Sequence, residues 1–344
     1  MVLKINLALQ GGGAHGAFTW GVLDRLLEDP EIEFAGISGC SAGALNGAAL
    51  KAGLLAGGRE GAKANLDWLW AQVGAVHDFR LNGWIAPFMP LAAAVGDALD
   101  AVVPFSPQGV AAQVVSPYSY GPFWANPLER VVRRLHYDRV CASEGPELFV
   151  SATNVRSGKV KVFERDEITT DAILASACLP TVFRAVEIKD KATGRVEAYW
   201  DGGFSGNPAL FPLYKPSLPD DIVIISINPL WREDLPTTAL DIQNRINEVS
   251  FNASLLAQLR AVRFVVELLE QGNVPRGAMK DVKIHLISDD AVMNDLSPAT
   301  KLTPTPYLLF KLKEAGRAAA TKFLREHKAK IGRESSVNLR ELIN

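Results

Sequence analysis

The sequence predicts an α/β fold with a mainly parallel sheet, because short apolar strands alternate with helices from the first residues onward. Residues 5–10 form an apolar run bounded by glycines, and 14–28 carry apolar residues along one helical face. The same order repeats in an apolar strand at 34–38 and an Ala- and Leu-rich helix at 42–55. Strands that alternate with helices favour a layered fold built on a parallel sheet.

Further strands and helices follow, after one irregular stretch. Residues 78–124 hold proline, glycine, tryptophan and phenylalanine without a helical or strand period, which indicates a long excursion from the core. The remaining strands are predicted at 148–153, 159–163, 195–200, 222–227 and 282–287, and the remaining helices at 168–177, 239–271 and 307–330. We therefore predict one domain over 1–344, with its motifs in 5–230, a cap inserted at 78–125, and a C-terminal extension of helices and a strand at 236–344.

Composition and charge are those of an ordinary globular protein. Of the 344 residues, 48% are apolar and 22% are charged, and the net charge of −2 gives no overall attraction to nucleic acid. The three cysteines, Cys40, Cys141 and Cys178, are too few and too scattered for a disulfide framework or a thiolate zinc site. We expect them to be free buried thiols in a reducing compartment.

The sequence gives no clear targeting or membrane-spanning signal. The N-terminal apolar run passes directly into the first predicted strand, and a secretory leader would require a longer apolar stretch and a cleavage site. The apolar-rich stretch at 84–103 is interrupted by prolines, a glycine and two aspartates, so it does not resemble a spanning helix. We expect a soluble, cytoplasmic protein.

The glycine-rich loop after the first strand is compatible with three functions. Residues 11–16 place Gly11, Gly13 and Gly16 at the spacing of a dinucleotide-binding loop. Such a loop also requires an acidic residue at the end of the second strand, and that strand is followed here by glycine, cysteine and serine. The same backbone amides at a helix N-terminus suit the oxyanion of an acyl-transfer intermediate. A simple tight turn between strand and helix is the third interpretation.

The segment 39–43 contains a candidate nucleophile, Ser41. Its sequence matches G-x-S-x-G and lies between a predicted strand and a predicted helix, which is the context of a nucleophile elbow. An N-capping serine would occupy the same position without any catalytic role. Two successive strand-to-helix turns with glycine-rich loops favour the catalytic interpretation, because both loops would lie at the carboxyl edge of a parallel sheet, where ligands bind.

Asp201 is the candidate base, and His285 is the alternative. Asp201 ends an apolar strand and precedes two glycines, so a substrate or another backbone segment has room to approach it. An ordinary Asp-Gly turn would look the same. A Ser-His-Asp triad is conceivable with His285, but His285 alternates with apolar residues inside a strand, on the same face as Lys283, which is typical of a polar-face residue. The other histidines, apart from His15 in the glycine loop, are expected to be surface or packing residues.

Taken together, these segments resemble the signatures of the patatin-like phospholipases. The glycine block 11–16, the elbow 39–43 and the triplet 201–203 occur in the order found in that family, and 175–180 matches its A-S-x-x-x-P block. The resemblance covers roughly residues 5 to 230 and is specific in its combination of motifs. It implies a three-layer α/β/α fold and hydrolysis of acyl esters in lipids, without a metal or an organic cofactor.

The resemblance also implies roles for individual residues. It implies a catalytic dyad of Ser41 and Asp201 and an oxyanion hole from the region of Gly11, Gly12 and Gly13. The family usually has arginine or lysine where this chain has His15, so a permanent positive charge is replaced by a titratable one. We expect the charge on His15 to interact with the oxyanion or with the head group of the substrate.

The irregular stretch contributes two further candidates. Trp84 and Phe88 lie among its prolines and apolar residues, and we expect them to bind acyl chains in a cap that touches lipid surfaces. These side chains would serve equally well as part of the core. The competing functions are a dinucleotide-binding enzyme, a Ser-His-Asp esterase of the α/β-hydrolase type, and a catalytically silent scaffold.

Overall fold

A mixed sheet of eight strands forms the centre of the computed structural model, which describes residues 2–78, 116–120, 126–275, 277–296, 300–301 and 303–343. In chain order the strands are β1 (Leu3–Leu9), β2 (Ile32–Cys40), β3 (Glu147–Asn154), β4 (Val160–Glu164), β5 (Val186–Lys189), β6 (Val196–Asp201), β7 (Asp221–Ile225) and β8 (Lys283–Ile287). Their order across the sheet is β5-β6-β3-β2-β1-β7-β8, and β4 also pairs with β3.

The middle of this sheet is parallel. Strands β3, β2, β1, β7 and β8 pair in parallel, whereas β4, β5 and β6 add antiparallel pairs on the side of β3. Parallel strands are covered on both faces and therefore read as continuous apolar runs, as β7 does with the sequence DIVII. The predicted, mainly parallel sheet is confirmed.

Helices cover both faces of the sheet. They are α1 (Gly16–Leu26), α2 (Ala42–Asp78), α3 (Glu129–Val132), α4 (Tyr137–Val140), α5 (Thr170–Ser176), α6 (Ala239–Glu270), α7 (Asp290–Asn294), α8 (Pro306–His327) and α9 (Leu339–Ile343). Alternate residues of β1 and β7 point into two separate apolar cores. One core packs against α1, α2 and α8, and the other against α6 and α9. This arrangement is the three-layer α/β/α fold expected from the sequence.

The short helices α3, α4, α7 and α9 were not predicted from the sequence, and two further elements differ from the expectation. The helix predicted at 42–55 continues to Asp78, with a kink where Gly57 and Gly58 leave helical geometry. A pair of glycines suggests a helix end in sequence, but here the chain resumes its helix after the kink because both halves pack against the core. Strand β5 was not predicted, since it has only four residues, in which half-buried and exposed side chains alternate, and so short a run gives a weak period.

The predicted cap falls mostly outside the described residues. Trp84 and Phe88 both lie there, so their proposed contacts with acyl chains stay predictions. The described part includes a 3₁₀ turn at Pro117–Tyr120. Arg184 donates hydrogen bonds to the carbonyls of Pro117 (3.3 Å) and Tyr118 (3.2 Å), which holds this turn on the loop before β5.

Helix α6 is unusual for its exposed apolar side chains. One face packs on the second core through Leu255, Leu259 and Val262, while Ile246 and Phe264 are exposed. By length and composition alone, Asp241–Glu270 could cross a membrane, and 28% of its most apolar window is buried. Core helices pass the same test, so this property by itself is weak support for a membrane span.

His285 does not lie on a polar face, and that prediction was wrong. Its side chain is fully buried in β8, and its Nε2 lies 2.9 Å from Oδ1 of Asp221. The ring also packs edge-to-face against Phe323 of α8. Buried polar groups are kept when a partner satisfies them, and Asp221 is that partner. Since β1 and β7 separate β8 from β2, His285 lies far from the turn that follows β2.

We predict that His285→Ala lowers the free energy of unfolding by about 1–3 kcal/mol, because Asp221 would lose a buried hydrogen-bond partner. Thermal and urea unfolding measure the change. His136→Ala is the matched control, since His136 is exposed. Equal stability of the two variants would contradict a structural role for the His285–Asp221 pair.

Candidate active site

Ser41 occupies a strained turn between β2 and α2. Its φ of 53° lies in the left-handed region, which a residue with a side chain adopts only at a cost of about 1–3 kcal/mol. The carbonyl of Ser41 accepts a hydrogen bond from the amide of Leu45 (3.1 Å), so the first turn of α2 begins at this residue. Ser41 therefore lies in a sharp turn between a strand and the N-terminus of a helix.

Asp201 is the last residue of β6 and is almost completely buried, with 1% exposure. Its Oδ1 accepts hydrogen bonds from the amide of Gly203 (2.8 Å) and from the thiol of Cys40 (3.4 Å). Its own amide donates to the carbonyl of Cys178 (2.8 Å). The carboxyl group is thus fixed in position by neutral donors.

Burial raises the pKa of Asp201 to about 6, and hydrogen bonds from Gly203, Ser41 and Cys40 oppose the rise. No arginine or lysine of the described residues forms an ion pair with this carboxylate. Burial would raise the pKa of Glu248 too, but Arg232 and Lys301 lower it to about 2, and Arg245 forms a further ion pair with this carboxylate. The contrast marks Asp201 as a buried acid without a compensating charge, which is typical of functional sites.

The sheet brings Ser41 and Asp201 together although their strands are not neighbours. Strand β3 lies between β2 and β6, with Cys40 paired to Ser151 and Asp201 paired to Ala152. The two residues thus come to the same level of the sheet. The Ser41 side chain interacts with the Asp201 carboxyl group closely enough to lower its pKa, as described above.

The glycine loop packs directly against Ser41. A Cβ atom on Gly11 would lie 2.6 Å from Cβ of Ser41, so only glycine fits there. Gly13 has φ +59°, and a Cβ atom on it would lie 2.3 Å from the carbonyl oxygen of Lys301. Both positions therefore require glycine for close approach to another part of the chain.

The amide of Gly11 is already occupied, which corrects part of the predicted oxyanion hole. It donates to Oδ1 of Asn207 (2.6 Å), and the Gly11 carbonyl accepts from Nδ2 of Asn228 (2.8 Å). Throughout the described chain, the amides of Gly12 and Gly13 have no acceptor. These two amides remain the candidate oxyanion donors.

Sequence reasoning missed the two asparagines that hold this loop. Asn228 follows β7, the neighbour of β1, so a polar residue just beyond a buried strand was a usable signal. Asn207 follows Asp201 by six residues in an irregular segment, where an asparagine has no distinguishing pattern.

His15 does not carry the titratable charge expected from the sequence. It is 1% exposed, and its Nε2 lies 2.8 Å from Oγ1 of Thr300. Burial and the positive charge of Lys301 lower its pKa to about 3. The expectation that substrate feels a charge on His15 is therefore wrong near neutral pH, because the imidazole is neutral there.

The three cysteines are free. Cys40 and Cys178 are buried and Cys141 is partly exposed. Over the described ranges, no group of three or more histidine, cysteine or acidic side chains could hold a metal ion.

We predict that His15 stays neutral down to about pH 4, since charging it would place a cation in a buried site beside Lys301. NMR titration of the imidazole resonances measures this directly. A midpoint near 6.5 would contradict the buried, neutral state. Below pH 6.5, His15 binds a proton in the unfolded chain but not in the folded chain. The contribution of His15 to the free energy of unfolding therefore falls as the pH falls from 6.5 towards 3.

Comparisons with known proteins identify the family of the chain. A crystal structure of VipD from Legionella pneumophila aligns with a TM-score of 0.42 and 15% identity, covering 95% of this chain and 67% of that chain. No curated protein matches the sequence. The sequence model of the patatin-like phospholipases matches residues 7–214, which is more than half of the chain and includes the glycine loop, Ser41 and Asp201. The chain therefore belongs to the patatin-like phospholipase family.

Proposed function

We propose that this protein hydrolyses carboxylic esters of lipids, with Ser41 as the nucleophile and Asp201 as the base. One observation carries the proposal: a serine in a strained turn lies at the same level of the sheet as a buried aspartate whose pKa is raised to about 6 and which has no cationic partner among the described residues. Membership of the patatin-like phospholipase family supports lipid acyl hydrolase activity in general. The dyad and the covalent pathway are the specific part of the proposal.

Acylation begins with proton transfer from the Ser41 hydroxyl to the Asp201 carboxylate. The Ser41 oxygen attacks the ester carbonyl, and the carbonyl oxygen gains negative charge as the tetrahedral intermediate forms. The amides of Gly12 and Gly13 and the N-terminus of α2 are suited to stabilise that charge. Asp201 then gives its proton to the leaving alcohol as the carbon–oxygen bond breaks, which leaves an acyl group on Ser41.

Deacylation repeats the same chemical steps with water in place of the serine hydroxyl. Asp201 accepts a proton from water, the resulting hydroxide attacks the acyl carbonyl, and the second tetrahedral intermediate collapses to release the fatty acid. The proton on Asp201 returns to the Ser41 oxygen, so the enzyme ends in its starting state.

The raised pKa of Asp201 makes this assignment chemically reasonable. A carboxylate of pKa 3.8 is a weak base toward a hydroxyl group, and a shift to about 6 favours proton acceptance by roughly 3 kcal/mol. Hydrogen bonds from Gly203 and Cys40 orient the carboxylate, so the stronger base is also a fixed one.

We predict that a fluorophosphonate labels Ser41 and that Ser41→Ala abolishes both labelling and hydrolysis of p-nitrophenyl esters. Removing the nucleophile of a covalent mechanism typically costs about 10³-fold or more in kcat. Peptide mapping by mass spectrometry identifies the labelled residue. Label on another serine, or full activity of the alanine variant, would refute the assignment.

We predict that kcat/KM rises about tenfold per pH unit below pH 6 and levels off above pH 7, because only ionised Asp201 accepts the proton. Asp201→Asn should lose most activity at every pH. Its melting temperature at pH 7.5 should equal or exceed that of the wild type, since the substitution removes an uncompensated buried charge.

His285→Ala is the control for this experiment. After correction for any fraction unfolded, it should keep kcat close to that of the wild type. A folded His285→Ala as inactive as Asp201→Asn would instead support a Ser-His-Asp triad.

A further inference from the structure

We propose that Ser176 is a positioning residue for the nucleophile, and that the turn it begins holds the backbones of both dyad residues. The inference rests on the proposed function, because it assigns Ser176 a role in placing the Ser41 hydroxyl. Three contacts in the interior of the protein support it, and each involves a backbone group of Ser41, Ser151 or Asp201.

The first contact is to the amide of Ser41. That amide donates a hydrogen bond to Oγ of Ser176 at 2.9 Å. A serine whose backbone is in the left-handed conformation persists only where its surroundings fix it. A buried amide without a hydrogen-bond acceptor would destabilise the folded state further. Ser176 satisfies the amide and thereby stabilises the strained conformation at the reacting residue.

The second contact fixes the orientation of the Ser176 hydroxyl itself. Oγ of Ser176 donates to the carbonyl of Ser151 at 2.7 Å, and the Ser176 side chain is fully buried. Its only hydroxyl proton is therefore directed at β3, and a lone pair is left for Ser41. A serine near the end of a helix commonly bonds to its own preceding turn, whereas Ser176 reaches across to β3 and the elbow.

The third contact comes from the same turn, two residues later. The carbonyl of Cys178 accepts a hydrogen bond from the amide of Asp201 at 2.8 Å. Residues 176–178 thus hold the amide of the nucleophile through a side chain and the amide of the base through a carbonyl. The relative placement of Ser41 and Asp201 depends on this one short segment as well as on the sheet.

Such a segment is needed because β3 separates the strands that carry the dyad. Strands β2 and β6 are two strand spacings apart, which is about 10 Å. The sheet alone therefore does not fix the distance between the Ser41 and Asp201 side chains, which depends on the loops that carry them. A misplacement of about 1 Å can cost on the order of 100-fold in rate. Contacts from residues 176–178 to both amides restrict that misplacement.

The test compares Ser176→Ala with Ser38→Ala. Ser38 is also buried, and its hydroxyl donates to the carbonyl of Ala209 at 2.5 Å, without contacting either dyad residue. For each variant we would measure kcat and KM for p-nitrophenyl butyrate, the rate constant of fluorophosphonate labelling at Ser41, and the melting temperature.

Ser176→Ala should lose about 10- to 100-fold in kcat and in labelling rate with little change in KM, whereas Ser38→Ala should keep both rates. The midpoint of the pH profile should stay near that of the wild type, because Ser176 does not contact the Asp201 carboxyl group. Equal rates in the two variants, with similar losses of melting temperature, would overturn the proposal.

Ser176→Cys covers the case in which the alanine variant fails to fold. It keeps the size of the side chain and supplies a weaker acceptor, so an intermediate loss of kcat is expected, and unchanged kcat would overturn the proposal. Failure of the proposed function is distinct, because then the wild-type protein would show no ester hydrolysis and no label at Ser41.

Discussion

The position of β3 between β2 and β6 is the constraint on which the candidate site depends. It keeps the strands that carry Ser41 and Asp201 from pairing directly, and register alone brings the two residues to one level. Strand β6 runs antiparallel to β3 but pairs only with its residues 152–154, so its last residue, Asp201, lies beside Ala152 and does not reach the opposite edge of the sheet. The short antiparallel strand β6 therefore places Asp201 in the candidate site, and the parallel part of the sheet places Ser41 and the glycine loop there.

Electrostatics follow from the same packing. Layers on both faces exclude water from Asp201, and the residues that surround it donate neutral hydrogen bonds. Burial of a carboxylate without a cation destabilises the folded state once the pH exceeds the raised pKa, whereas the buried carboxylate of Glu248 is compensated by ion pairs. A buried carboxyl group with a raised pKa, close to a strained serine, is the kind of group that clusters at functional sites.

Much of the fold and the core of the site could be predicted from sequence, because periodicity and turn composition are local properties. The order of strand, glycine turn and helix identified the two loops that meet at Ser41, and the strand before Asp201 placed it at a strand end. The direction of β6 and the two strands that separate His285 from β2 depend on long-range pairing, which no local pattern contains. The expectations of a polar-face His285 and a charged His15 failed for the same reason. Both side chains are buried, and their hydrogen-bond partners, Asp221 and Thr300, are distant from them in sequence.

Loop chemistry was the part that sequence reasoning resolved least. In the sequence, the amides of the three consecutive glycines are equivalent candidates for an oxyanion hole. In the structure, the hydrogen bond from the Gly11 amide to Asn207 distinguishes Gly11 from the other two. Ser176 likewise looks like an ordinary helix-terminal serine until its bonds to Ser41 and Ser151 are seen. In both cases the deciding partner lies more than 20 residues away in the chain, and its identity follows from the fold.

A crystal structure of the protein after reaction with a fluorophosphonate is the direct test of Ser41 as the nucleophile and Asp201 as the base. The phosphorus atom stands for the tetrahedral carbon of the intermediate, and its non-ester oxygen stands for the oxyanion. We expect phosphorus bonded to Oγ of Ser41, with that oxygen about 2.7–3.1 Å from the amides of Gly12 and Gly13. The Asp201 carboxyl group should lie within hydrogen-bonding distance of Oγ. An adduct on a different residue, or an oxyanion mimic turned away from both glycine amides, would contradict these assignments.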